Sequence, residues 1–211
     1  VSFHFGLPEP RLLERVRRLG ARIIASATTL PEALWLQERG ADAVIAQGLE
    51  AGGHRGHFLQ QDPAQQCGTL ELVTRLAGAL RIPVIAAGGM VGADDVRAAF
   101  AAGASAVQAG TAFLLCDEAL TSPPHRARLA DAQAPTELTR LFSGGLARGL
   151  VNRLMRELGP LNEAAPPFPL ASGALAPLRS AAESLGRDDF TPLWSGSRRQ
   201  GLQAAPAAQV L

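Results

Sequence analysis

Along the first half of the chain, short β-branched or alanine-rich runs at 1–5, 22–27, 43–47, 83–87 and 106–109 alternate with amphipathic stretches of about ten or more residues. Glycine or polar turns separate them, so the runs read as strands buried in a parallel sheet and the stretches as its crossover helices. The first helix is expected over 9–19, with Leu12, Leu13 and Val16 as its apolar stripe and Gly20 ending it. The second follows Thr28 and Thr29, either of which can cap it, takes Pro31 in its first turn and stops at Gly40. Thr69 is the expected cap of a third helix over 70–80, and Asp94 suits the start of a fourth that ends at Gly103.

A strand–helix unit every 20 to 40 residues or so is close to the roughly 30 residues per unit of a TIM (β/α)8-type barrel. Five strands are visible where a barrel closes with eight, so this reading places about three βα units, on the order of 90 residues, before Val1. An open doubly wound sheet tolerates five strands, and periodicity does not separate the two architectures. After Cys116 the texture changes to helical patterns at 129–140, 149–157 and 175–185, broken by the proline-rich segment 164–169. The expected organisation is a partial barrel over 1–116, a C-terminal helical appendage over 117–190 that serves as a substrate lid, and a tail over 191–211 returning to the barrel. The last residues, 203–211, are expected to fray.

Composition narrows the function classes. Glycine 22 and proline 15 beside 47% hydrophobic residues describe a turn-rich globular chain, which excludes disorder and collagen. The net charge is +1, and no basic run is longer than Arg17-Arg18 or Arg198-Arg199, so nucleic acid is not an expected partner. Every basic residue is arginine; with neither lysine nor tyrosine, Schiff-base chemistry and a tyrosine acid or base are excluded within these residues. Cys67 and Cys116 have no metal-ligand or disulfide spacing. No apolar run reaches the roughly 20 residues of a membrane span, and a cytoplasmic, soluble protein is expected. The opening Val1, in place of Met, suggests a fragment of a longer chain.

The densest chemical signal is Ala46-Gln47-Gly48-Leu49-Glu50-Ala51-Gly52-Gly53-His54-Arg55-Gly56, directly after the strand 43–47. Loops at the carboxyl ends of parallel strands build active sites, glycines admit close approach to a ligand, and a histidine there exchanges protons near neutral pH. Two further strands run into glycine turns, Ala86-Ala87-Gly88-Gly89 and Gln108-Ala109-Gly110-Thr111; consecutive loops of this kind can cradle a phosphate, with the Thr111 hydroxyl as an added donor. Alternation places Ser2 and His4 on one face of the first strand, which would aim His4 into a pocket. His57 and His125 lack supporting context and read as solvated. Asp94-Asp95 reads as a helix start, and no metal site is expected.

Taken together, Gln47 to Gly56, Ala86 to Gly89, Gln108 to Thr111 and the opening Val1-Ser2-Phe3-His4-Phe5-Gly6 resemble the nitronate monooxygenases, formerly called 2-nitropropane dioxygenases, with a looser match at Pro192-Leu193-Trp194-Ser195-Gly196. The resemblance implies an FMN-dependent barrel that oxidises alkyl nitronates and nitroalkanes with O2 to a carbonyl compound and nitrite, with no nicotinamide required. It makes His54 the catalytic base, sets Gln47 and Gly52 beside the flavin, and puts Gly88, Gly89, Gln108, Ala109, Gly110 and Thr111 around the FMN phosphate and ribityl chain. His4 then lines the substrate side, and Trp194 either covers the flavin edge or anchors the tail. The flavin enoyl-acyl-carrier-protein reductases, which use NAD(P)H, share the His54 segment, so an enoyl reductase and a non-catalytic truncated barrel are the alternatives. Some branches of the family carry Tyr and Lys near the active site, and this chain has neither.

Overall fold

The computed structural model describes residues 1–60 and 62–210. The chain divides into two units, Val1–Glu50 with Gly56–Ala109, and Ala51–Arg55 with Gly110–Leu211.

The first unit is a five-stranded parallel sheet of β1 (Ser2–Phe3), β2 (Ile24–Ala27), β3 (Ala43–Gln47), β5 (Val84–Ala87) and β6 (Ala106–Gln108), the label β4 belonging to a strand of the second unit, Gly53–His54. Its helices are α1 (Pro10–Arg18), α2 (Leu30–Glu38), α3 (Thr69–Ala79) and α4 (Ala93–Ala101). The strands lie side by side in chain order, each parallel to the last. A doubly wound sheet reverses its order at a switch point, and this sheet does not. Ala25, Ala27, Val44, Ala46, Val84 and Ala86 point to one face and pack with Leu36, Leu72, Val73 and Leu76 of the helices. Period-two alternation then puts Gln47, Ala87 and Gln108, paired across β3, β5 and β6, on the opposite face at the carboxyl edge.

Local chemistry sets the boundaries. Leu30 follows Thr29, whose hydroxyl accepts from the Glu32 amide, and Gly20, Gly40 and Gly103 take positive φ where the helices turn away. The expected first strand, 1–5, stops at Phe3 because Phe5 and Gly6 adopt φ of 66° and 87°, which no strand accommodates. Thr69 is not the cap of α3; it is the first helical residue after Gly68, and its hydroxyl turns to Glu50. The side chain of Glu50 accepts from the Thr69 amide and hydroxyl, both at 2.8 Å, and Thr69 Oγ1 also reaches the Gly88 carbonyl at 3.0 Å. A Cβ on Gly48 would lie 2.3 Å from the Thr69 backbone, so glycine is what lets β3 run so close beneath α3.

The second unit departs from the expected all-helical appendage. Its centre is an antiparallel sheet in the order β4, β8 (Ala147–Leu150), β7 (Thr136–Thr139), accompanied by α5 (Pro123–Ala130), α6 (Arg153–Leu158) and α7 (Ala171–Ser184). The helix expected over 129–140 gives way to α5 and β7: Pro135, without an amide proton, separates them. The helix expected over 149–157 starts later, because Asn152 caps α6 by accepting from the Met155 amide at 3.3 Å. Gly149 stays extended, pairing with Trp194. Nor does the end of the chain fray throughout, since Ala207 donates to Glu118 Oε2 at 2.9 Å and the Ala205 carbonyl accepts from Asp117 at 3.3 Å. Buried arginines tie loops together: Arg199, 3% exposed, donates to the carbonyls of Asp131, Ala132 and Ala134, and Arg126 to those of Leu115, Cys116 and Ala119. Among the described residues, no helix is long and apolar enough to cross a membrane.

Candidate active site

In the first unit, the expected ligand residues gather at the carboxyl edge of the sheet. Gln47, 8% exposed, is the last residue of β3, and its Oε1 accepts from the Gly56 amide at 2.7 Å. A Cβ on Gly56 would meet the His4 ring at 2.6 Å and Ser26 Cβ at 3.1 Å, so His4, Ser26, Gln47 and Gly56 form one cluster. The His4 side chain is exposed there and stacks edge-on against Phe5 with centroids 4.4 Å apart; with β1 ending at Phe3, its position follows from this cluster and not from strand alternation.

Gly88 and Gly89, leaving β5, have φ of 112° and 73°, a conformation that only glycine adopts readily. Gln108 and Ala109 close β6 on the neighbouring strand, with Gln108 exposed. Asp95 accepts from the amides of Val91 and Gly92 at 3.1 and 3.0 Å, so on the loop before α4 a carboxylate already fills the place an anion would take.

Glu32, which the sequence analysis did not single out, holds this edge together. It is fully buried, and its carboxylate accepts from the Thr28 amide at 2.7 Å and hydroxyl at 2.8 Å, and from the amides of Phe58 and Leu59 at 2.7 and 3.3 Å. Four donors satisfy the charge, as burial requires. The capping-box spacing from Thr29 was the available signal, but the contact to 58–59 is not local.

In the second unit, His54 ends β4, paired with Ala147 of β8. Its Nε2 lies 2.8 Å from Ser143 Oγ, and Ser143 in turn accepts from the Gly145 amide at 3.2 Å. Trp194 and Phe168 pack on the imidazole with centroids 5.4 and 5.6 Å away, and Phe142 meets Trp194 at 5.6 Å. His54, Phe142, Ser143 and Trp194 border a cavity of about 220 Å³ that Ser172, Leu175, Arg179 and Pro192 complete. The Arg179 guanidinium is engaged by Glu183 at 2.7 Å. Burial withdraws water from the imidazolium and holds the His54 pKa below the ordinary 6.5, so the ring is a neutral base at neutral pH. A half-buried neutral histidine bonded to a hydroxyl, beside a small aromatic-walled cavity, can take a proton from a carbon acid.

Gly52, two residues before His54, packs on the segment that carries Trp194: a Cβ there would lie 2.4 Å from Gly196 N and 2.5 Å from the Ser195 carbonyl carbon. Thr111 Oγ1 accepts from the Gly196 amide at 2.9 Å, which ties Gly52, Thr111 and 195–196 together and leaves the Thr111 hydroxyl proton for a donor role. Gly110 immediately precedes this threonine. The histidines expected to be solvated are not. His57 is buried. His125 is half-buried, with burial lowering its pKa against the opposing effect of a hydrogen bond to the Trp194 backbone.

A family model for nitronate monooxygenase matches residues 1–211. The chain is similar to a nitronate monooxygenase of Pseudomonas aeruginosa, 42% identical over 213 residues, covering 100% of this chain and 61% of that protein. The structure of a nitroalkane oxidase from Streptomyces ansochromogenes matches with a TM-score of 0.91 at 43% identity, over 99% of this chain and 60% of that one. FabK from Thermotoga maritima follows with a TM-score of 0.74 and 29% identity, over 98% of this chain and 62% of its own. The chain therefore spans about three fifths of the length of the proteins it matches.

Proposed function

From the premise that this chain belongs to the nitronate monooxygenase family, we propose that it carries the flavin-binding sheet edge and the catalytic base of an FMN-dependent enzyme. The enzyme oxidises alkyl nitronates and nitroalkanes with O2 to a carbonyl compound and nitrite. The observation that carries the reading is the neutral, half-buried His54, packed against Trp194 and bonded to Ser143 at a cavity sized for a small substrate. The five parallel strands in chain order are then the later part of a barrel whose first three units or so lie in a longer chain. Region 117–190 acts as the substrate lid and 191–211 as the segment that returns to the barrel.

The residues present fit FMN. Gln47 of β3 and Gln108 of β6 face the same way from either side of β5, and Gly88 and Gly89 leave an edge without side chains on which phosphate and ribityl oxygens can meet backbone amides. The same reading assigns Ala109, Gly110, Thr111 and Gly52 to FMN and His4 to the substrate. FMN, when bound, takes the electrons leaving the substrate and delivers them to O2.

The remaining chemistry belongs to the protein. His54 removes the α-proton of a neutral nitroalkane, and a preformed nitronate bypasses that step. Ser143 orients the imidazole, and the Trp194 and Phe168 rings keep water from the nascent carbanion. Because only the neutral ring is active and its pKa lies below 6.5, kcat/KM for a neutral nitroalkane should stay level above pH 6.5 and fall as pH drops beneath it. Stability runs in the same direction: the unfolded chain, with its ordinary pKa, protonates first as pH falls, so the folded state loses stability only on that descent. A titration limb above pH 7 in nitroalkane turnover would assign the base elsewhere.

Gly89→Val should weaken FMN binding by tenfold or more, since a branched side chain at φ 73° both strains the turn and covers the amides. Fluorescence titration of FMN checks this, and an unchanged dissociation constant removes the cradle from 88–89. For the function as a whole, the test is nitrite release with O2 uptake from a nitronate without added nicotinamide. Turnover that appears only with NAD(P)H and an enoyl thioester would make the chain part of a reductase.

A further inference from the structure

The cavity at His54 has a neighbour. A second pocket in the same unit, of about 240 Å³, is bounded by Leu141, Leu154, Ala171, Ala174 and Leu175 among others. Asn162 is the one side chain with polar atoms on its wall, and both ends of that amide are already satisfied. Its Nδ2 donates to the Leu158 carbonyl at 2.7 Å, and its Oδ1 accepts from the Ala164 amide at 2.9 Å. The pocket thus offers a ligand a mostly apolar surface. Leu158, on its rim, is 52% exposed, so this surface is in contact with water unless something apolar fills it.

Helix α7 joins the two cavities. Ser172, Leu175 and Arg179, spaced three and four apart, face the His54 cavity; Ala171, Ala174 and Leu175 face the apolar pocket. Leu175 is the residue common to both, and the alanines on its far side leave the room that larger side chains would occupy. The His54 cavity has the volume of about seven water molecules. That accommodates a nitro group and a few carbons, so a longer substrate must put its remaining methylenes somewhere else.

We infer that the apolar pocket receives the alkyl chain of the substrate across Leu175, so that the site selects straight-chain alkyl nitro compounds longer than about four carbons over the shortest ones. The inference rests on the proposed function for the identity of the head group at His54. Leu175 moves between leucine rotamers to let the chain past. Each methylene buried in the pocket should tighten binding about fourfold until the pocket is full.

The test measures a homologous series from nitroethane to 1-nitrooctane in two ways. One readout is quenching of Trp194 fluorescence in a Trp35→Phe background, which makes Trp194 the sole tryptophan and needs neither flavin nor turnover. The other is kcat/KM of the FMN-loaded protein. Affinity and kcat/KM are expected to rise about fourfold per methylene beyond butyl. Ala174→Phe, at an exposed helix position bordering only the second pocket, should abolish that rise while nitroethane turnover stays as it was. Leu158→Gln on the rim should reduce it severalfold, which covers the case of Ala174→Phe failing to fold. A response that is flat with chain length, or that survives both substitutions, overturns the inference. Chain-dependent binding without any turnover would instead count against the proposed function and leave the pocket's role standing.

Discussion

Replacement of His54 with Asn is expected to slow oxidation of neutral nitroalkanes by about a thousandfold, the scale of a lost general base, and to leave preformed nitronates nearly unaffected. The β4–β8 pairing is made by the backbone and does not depend on this side chain, and Asn is smaller than the imidazole it replaces, so the strand survives while the proton acceptor is gone. The comparison of kcat/KM for nitroethane and for its nitronate, by oxygen uptake, checks this directly. Equal losses on the two would mean that His54 holds the substrate and abstracts nothing. The contrast is informative because the cavity has one other ionisable side chain, Arg179, which is a cation paired with Glu183 and no base.

The other large effect is expected far from the proton transfer. Glu32→Ala removes a fully buried carboxylate and strands the amides of Thr28, Phe58 and Leu59 together with the Thr28 hydroxyl. A hydrogen bond to a charged group contributes about 1.5 to 3 kcal/mol, and buried donors without acceptors cost more than the bond alone; a loss of at least about 3 kcal/mol is expected in chemical denaturation. The consequence reaches the ligand edge through the chain, since Phe58 lies two residues from Gly56, which bonds Gln47 and abuts His4. FMN affinity should fall along with stability. Glu32→Gln, which keeps one acceptor oxygen, should lose less of both, and identical losses for Ala and Gln would show that the carboxylate's second oxygen carries the whole effect.

The parallel sheet was legible because its signal is local. Strands such as Ala43–Gln47, buried on both faces, read as apolar runs, and glycine or polar turns mark where they end. The antiparallel sheet was not. Strand β4 has two residues, its partner Ala147 is 93 positions away, and β8 carries Arg148 and Gly149, neither of which favours a strand. Its pairing is decided by contacts that no window contains, and an Arg- and Leu-rich stretch before Asn152 carries the composition of a helix. The site divides in the same way. His54, Gln47 and the glycines announce themselves by clustering at strand ends, whereas Ser143, Phe168 and Trp194, which give the histidine its environment, come from loops 89 to 140 residues further on. Glu32 looks in sequence like an ordinary first-turn carboxylate, and only the fold shows that residues 58–59 come to it.

Anaerobic visible spectroscopy of the FMN-reconstituted chain, on adding an alkyl nitronate and separately NADPH, tests the central claim most directly. The account predicts that the nitronate alone bleaches the flavin, that readmitted O2 restores its absorbance with release of nitrite, and that NADPH is not needed. Bleaching by NADPH alone, with the nitronate inert toward bound flavin, would contradict it.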